Sequence, residues 1–152
     1  MSLTAVETSA VQLVVLSLGG EEYALPIARV QEIIRSIEPR AVDSSVHWLR
    51  GVISLRGKII PVCDLAARLG LGHEQVDGAK IVIIDTDTGS AGVIVDEVDE
   101  VLTVAAEQLE AVPGGCPEFI QAVAKVGDRL IVLLDPESML AGVDSAAADE
   151  LG

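Results

Sequence analysis

Slid against itself by 68 residues, the chain reproduces its own pattern, and this internal repeat constrains the fold more than any other feature. Gln12–Leu18 falls on Lys80–Thr86, and Leu25-Pro26-Ile27 on Val93-Ile94-Val95. Val30, Glu32 and Ile33 then meet Val98, Glu100 and Val101 without a gap. A shift of 71 lays Ile59–Leu69 over Leu130–Leu140, with Asp64 on Asp135 and Leu69 on Leu140. Few paired residues are identical. What recurs is an order: strand, turn, strand, and later strand, aspartate, helix. Two similar β-subdomains packed face to face would bury apolar faces that neither could bury alone.

The local signals agree. Val11–Leu18 is a β-branched and leucine run ending at Gly19-Gly20, and Glu22–Leu25 resumes as its hairpin partner. Pro26 suits the first turn of a helix, and Ile27, Val30, Ile33 and Ile34 follow at spacings of three and four. Pro26–Arg35 therefore reads as a short amphipathic helix. Gly51–Leu55 and Lys58–Cys63 read as strands joined at Arg56-Gly57, with Asp64 capping a helix over Leu65–Leu69. The second half repeats the scheme. Lys80–Thr86 and Ala91–Val95 flank the turn Asp87-Thr88-Gly89, Val98–Val104 alternates, and Ala105–Leu109 makes one helical turn. Ile120–Val126 and Arg129–Leu134 then pair around Gly127-Asp128, and Asp135 caps a helix through Leu140. The domain spans 11–140 and breaks near 70–80, between a flexible segment 1–10 and a loose acidic tail 141–152.

Composition narrows the function. Half of the 152 residues are hydrophobic and 22% are charged, which excludes disorder. Aromatics are only 2% and the net charge is −14, so a nucleic-acid partner or an aromatic cofactor platform is not expected. No apolar run is long enough to span a bilayer and the N-terminus lacks signal-peptide character, so direct membrane insertion is not expected and the reading is cytoplasmic. Two cysteines, Cys63 and Cys116, cannot build a disulfide framework. The charge is uneven: residues 1–80 carry nine acids and eight bases, residues 81–152 fifteen acids and two bases. Different surfaces for different partners follow from that asymmetry.

Catalytic chemistry finds little support. His47 and His73 are the only imidazoles, and both lie in polar connections. A nucleophilic Cys63 paired with a histidine would make a small hydrolase, but Cys63 ends the apolar run Ile59-Ile60-Pro61-Val62, where a buried thiol is the simpler reading. Asp85-Thr86-Asp87-Thr88-Gly89 imitates the start of a calcium loop yet puts Gly at the wrong position, and Gly51–Lys58 imitates a phosphate loop with Ile59 where a hydroxyl must ligate magnesium. Asp96-Glu97-Val98-Asp99-Glu100 reads as a solvated acidic face. No cofactor and no metal are expected.

The strongest local signal is Gly51-Val52-Ile53-Ser54-Leu55-Arg56-Gly57-Lys58-Ile59-Ile60-Pro61-Val62-Cys63-Asp64-Leu65. This stretch resembles the CheW family of chemotaxis coupling proteins at every fixed position of its Gly-Val-x-x-Leu-Arg-Gly hairpin motif. Glu22–Ile27, Val30-Gln31-Glu32-Ile33 and Gly92–Asp96 extend the resemblance over most of Val11–Leu140. Ser54 departs from it, standing where the family often has Asn.

The resemblance implies a mainly β fold of two five-stranded SH3-like β-barrels with a shared core. It also implies a non-catalytic adaptor that couples methyl-accepting chemoreceptors to the CheA histidine kinase, recruited from the cytoplasm to membrane-bound receptor arrays. A CheW-like coupler of a pilus-motility or surface-sensing pathway is the alternative. The receptor tip, a helix, would lie in an apolar groove between the barrels, lined by Val30, Ile33, Leu55, Ile94 and Val95. Exposed barrel ends would take the kinase regulatory domain and other CheW-like domains in rings. Glu32 and Arg56, charges set among apolar residues, would pair and shape that groove. Gly51, Gly57, Pro61 and Asp64 are the structural, turn-shaping positions of the same motif.

Overall fold

The computed structural model describes residues 10–71 and 76–141. His73 and most of the segments expected to be loose at either end lie outside the described residues; Ala10 already belongs to the first strand.

Among the described residues, eleven strands form two sheets. In chain order they are β1 (Ala10–Leu18), β2 (Glu21–Pro26), β3 (Val30–Arg35), β4 (Leu49–Leu55), β5 (Lys58–Asp64), β6 (Lys80–Thr86), β7 (Gly89–Val95), β8 (Glu97–Ala105), β9 (Leu109–Glu110), β10 (Ile120–Val126) and β11 (Arg129–Leu134). Two short helices, α1 (Leu65–Arg68) and α2 (Pro136–Met139), follow β5 and β11. One sheet runs β8-β1-β2-β11-β10-β9 and the other β3-β6-β7-β5-β4. The fold is thus mainly β with two SH3-like subdomains, and the first sheet is five-stranded only if the two-residue β9 is set aside.

The repeat seen in the sequence governs the hydrogen-bond register. Val14 lies opposite Leu25 in the β1–β2 hairpin, and Val82 opposite Val93 in β6–β7, each partner displaced by the same 68 residues. Ile33 faces Val82 across β3–β6 as Val101 faces Val14 across β8–β1. Val52 opposes Pro61 across β4–β5, and Val123 opposes Val132 across β10–β11. Even the parallel pairs agree: Val62 with Gly92, and Leu133 with Ala24. The repeat is a structural pseudo-symmetry.

The halves are nevertheless exchanged. The hairpin β1–β2 of the first half completes the sheet made by β8–β11, and β6–β7 of the second half completes the sheet made by β3–β5. The connection through residues 70–80 therefore joins β5 and β6 of one sheet, and it does not separate the subdomains. Each hairpin is apolar on both faces and, in this position, is covered on both sides. Ile81, Ile83 and Ile94 fill the core of their own barrel, as Leu13, Val15 and Ala24 fill the other. Leu16, Leu25, Val82, Ile84, Val93 and Val95 turn the opposite way and meet in one core shared by both sheets.

The helix expected over Pro26–Arg35 is not formed. A single 3-10 turn at Ile27–Arg29 leads directly into strand β3. Val30, Ile33 and Ile34 are β-branched, and exposure alternates along β3 with a period of two. The spacing of three that suggested a helix arises because Ile33 is an apolar side chain on the outward face, 41% exposed, so apolar residues fall on both faces of the strand.

Candidate partner-binding face

The β4–β5 hairpin turns at Arg56-Gly57, both with positive φ (54° and 81°), as a two-residue turn matched to the strand twist requires. That turn places Arg56 over β3. Its Nε and Nη2 donate to the two oxygens of Glu32 at 3.1 and 2.8 Å, a fork-to-fork pair. These bonds hold the Glu32 carboxyl below the usual carboxylate range and raise the Arg56 guanidinium above its own. The Arg56 side chain is 74% exposed and that of Glu32 28%, so the guanidinium presents its outer face to solvent while the carboxylate anchors it. The pair ties the hairpin turn to a strand, where the sequence suggested a helix.

Leu55, next to Arg56, is half-buried against the barrel core, and Ile33, next to Glu32, is 41% exposed, whereas Val30 at the start of β3 is half-buried against the shared core. Ile94 and Val95, assigned to the same groove from the sequence, are 4% and 0% exposed. They are core residues. Alternation along β7 sends them to different cores, so they do not share a surface.

The motif's structural positions have distinct jobs. Gly51 is not in a turn: it sits in β4 at a register shift, where a Cβ would stand 2.1 Å from the Arg40 carbonyl oxygen. Gly57 completes the hairpin turn. Pro61 lies inside β5, one residue before its pairing with β7 begins at Val62, so the missing N–H leaves no gap in that ladder. Asp64 caps α1, accepting from the Ala67 N–H at 3.2 Å, and Asp135 caps α2 from the repeat-related position, accepting from Glu137.

The repeat builds a related face on the other barrel. Arg129 donates to both oxygens of Glu22 at 3.0 and 2.8 Å and to Glu100, the repeat counterpart of Glu32, at 2.7 Å. The exposed apolar side chains are paired in the same way: Val101 (51%) corresponds to Ile33, and Leu130 (62%) to Ile59 (52%). Charge sets the faces apart. The strands of the β8–β9 sheet carry six acids against Lys125 and Arg129, whereas those of the β3–β4 sheet carry three against Arg35, Arg50, Lys58 and Lys80. The asymmetry between sequence halves thus becomes one between barrels.

Cys63 is 1% exposed within the shared core, whereas His47 is exposed. Among the described residues no group of three or more His, Cys, Asp or Glu could hold a metal, and no helix is long and apolar enough to cross a membrane. Arg68, which the sequence reading passed over, stands between Trp48 and Phe119. Burial pushes its guanidinium below the usual arginine value.

Two barrels around a common core, each carrying exposed apolar side chains and a forked ion pair, define a double-barrel β module. The chain belongs to the CheW-like domain family, whose model matches residues 12–144. It is 32% identical to the chemotaxis protein CheW of Bacillus subtilis (strain 168), over 96% of this chain and 97% of that one. The crystal structure of the scaffolding protein TtCheW from Thermoanaerobacter tengcongensis superposes with a TM-score of 0.77 at 32% identity, covering 82% of this chain and 84% of that one. Protein PilI of Pseudomonas aeruginosa is 25% identical over 70% of this chain and 62% of its own length.

Proposed function

We propose that this chain is a non-catalytic adaptor of bacterial chemotaxis that couples methyl-accepting chemoreceptors to a CheA-type histidine kinase. Family membership and the similarity to proteins named for chemotaxis and scaffolding support the reading. The observation that carries it to residues is the Glu32–Arg56 pair. It fixes an exposed guanidinium at a turn next in sequence to half-buried Leu55 and over the strand that carries exposed Ile33, and an amphipathic receptor-tip helix would find apolar contact and a fixed cation there, with Val30 at the edge of that face.

The second partner is the regulatory domain of the kinase, itself built like CheW, and it takes the exposed apolar ends of the barrels. Ile59 on one barrel and Val101 with Leu130 on the other suit that contact, because repeat-related patches on opposite barrels allow head-to-tail association with paralogous domains and rings. The protein works in the cytoplasm and reaches the membrane only through receptor arrays. Its action is geometric, with no bond made or broken.

The test is a pull-down with a receptor cytoplasmic fragment and a CheA-type regulatory domain from the same genome. The parent protein retains both; Arg56→Ala loses the receptor fragment and keeps the kinase domain. Retention of neither partner by the parent overturns the reading. The similarity to PilI favours a second reading, a CheW-like coupler of another pathway. Capture of that pathway's receptor and kinase instead of the flagellar pair would establish it.

A further inference from the structure

We propose that Arg68 is the joint that fixes the angle between the two barrels. Its guanidinium carbon lies 4.7 Å from the centroid of the Trp48 ring and 4.4 Å from that of Phe119. These are the chain's one Trp and one Phe, and the 71-residue shift of the repeat relates them. Each holds the same post in its own barrel: the Trp48 carbonyl accepts from Asp64 N–H at 2.8 Å, and the Phe119 carbonyl from Asp135 N–H at 2.8 Å. The two aromatic rings thus mark equivalent points of the two barrels, and one cation is stacked between them.

The guanidinium edge crosses the same boundary. Nε donates to the Met139 carbonyl at 2.7 Å and Nη2 to that of Ser138 at 3.4 Å, at the end of α2, where helical carbonyls lack partners within the helix. Arg68 closes α1 of one barrel, and its repeat counterpart in the other is Met139, which is fully buried. Pseudo-symmetry is broken here: a side chain that could simply have packed is replaced by one that reaches across. The shared core holds the barrels together, but apolar contact is non-directional and tolerates sliding. A planar fork stacked between two rings and bonded along its edge does not. Arg29 also holds α2, donating to Glu137 at 2.7 Å, so α2 keeps a second tie when Arg68 is changed.

Spin labels test this on the full chain. Cysteines at Lys58 in β5 and Asp128 in the β10–β11 turn report across the barrels, in a Cys116→Ser background that leaves only the buried Cys63. A second pair, at Lys58 and Gln31, reports within one barrel. In Arg68→Met, which copies the residue at the related position, and in Arg68→Lys, which keeps charge but not the fork, the inter-barrel distance distribution shifts or broadens. The within-barrel distribution stays as in the parent, and the fluorescence of Trp48 changes. Inter-barrel distributions that superimpose on the parent's overturn the proposal. So does equal broadening of both pairs, which marks general loosening. If Arg68→Met does not fold, Phe119→Leu decides by the same readout, since it removes one ring and keeps the carbonyl bonds.

Discussion

Gly51→Ala is the substitution whose cost follows most directly from the geometry. A Cβ at Gly51 would lie 2.1 Å from the Arg40 oxygen and 2.6 Å from its carbonyl carbon, both main-chain atoms that cannot swing aside. The segment at Arg40 must therefore retreat from β4, and it is held there by two backbone bonds, Arg40 N–H to Val52 at 2.8 Å and Val52 N–H to Arg40 at 2.9 Å. Losing two such bonds costs about 1–3 kcal/mol. The φ of +151° adds backbone strain for any L side chain of roughly 1–3 kcal/mol. Together these make about 2–6 kcal/mol, against a total stability on the order of 5–15 kcal/mol. For a chain of this size the melting temperature falls by about 4–24 °C. Thermal unfolding followed by circular dichroism measures it. Gly57→Ala is the control: its φ is +81° but nothing lies within 4 Å of the added Cβ, so only strain of about 1–2 kcal/mol remains. A Gly51→Ala protein that melts within about 2 °C of the parent, or no lower than Gly57→Ala, refutes the close-approach argument.

Further outcomes follow from the same contacts. Arg56→Ala and Glu32→Ala each weaken receptor-fragment binding on the order of tenfold while melting close to the parent, and the double mutant loses less than the product of the two. Simply multiplicative losses in titration calorimetry would show that the pair does not act as a unit. Asp64→Ala and Asp135→Ala each cost about 1 kcal/mol in urea unfolding by removing a helix cap, and equality with the parent would contradict the capping geometry. Arg129 holds the Glu22 carboxyl below its ordinary value of 4.5, so this group's contribution is complete above that pH and is lost as pH falls through the lower folded value. The urea midpoint of Glu22→Gln should accordingly decline less between pH 4.5 and strong acid than the parent's; an identical decline would assign the acid sensitivity elsewhere. Exposed Cys116 reacts with a thiol reagent in the native protein and buried Cys63 only after unfolding, and rapid native labelling of both would disprove the burial of Cys63.

Much of this architecture is legible because strand register and internal repeat share one origin. The offset that lays Gln12–Leu18 on Lys80–Thr86 is the same offset that relates β1–β2 to β6–β7 in the hydrogen-bond ladder. What the sequence hides is which hairpin pairs with which three strands. Both hairpins are apolar on both faces, and exchange between halves leaves the local pattern unchanged. At β3, local periodicity misleads because Ile33 is apolar yet faces outward, which gives a strand the apolar spacing of a helix turn. Ile94 and Val95 looked like groove residues since a groove and a core are lined by the same residue types; only burial separates them. Glu32 and Arg56 could be read because a charge inside an apolar motif needs a partner. Arg68 escaped notice, although the signal existed: the sole Trp and the sole Phe stand 71 residues apart, at the repeat spacing.

The central claim is tested most directly by reconstituting receptor control of the kinase. A CheA-type kinase, membranes bearing the cognate receptor, and this protein are mixed, and kinase autophosphorylation is followed with and without attractant. The account predicts that autophosphorylation rises when the protein is added and falls again with attractant. Arg56→Ala, folded and still bound to the kinase domain, fails to restore that response. Receptor control that is equally strong without the protein, or fully restored by Arg56→Ala, would contradict it.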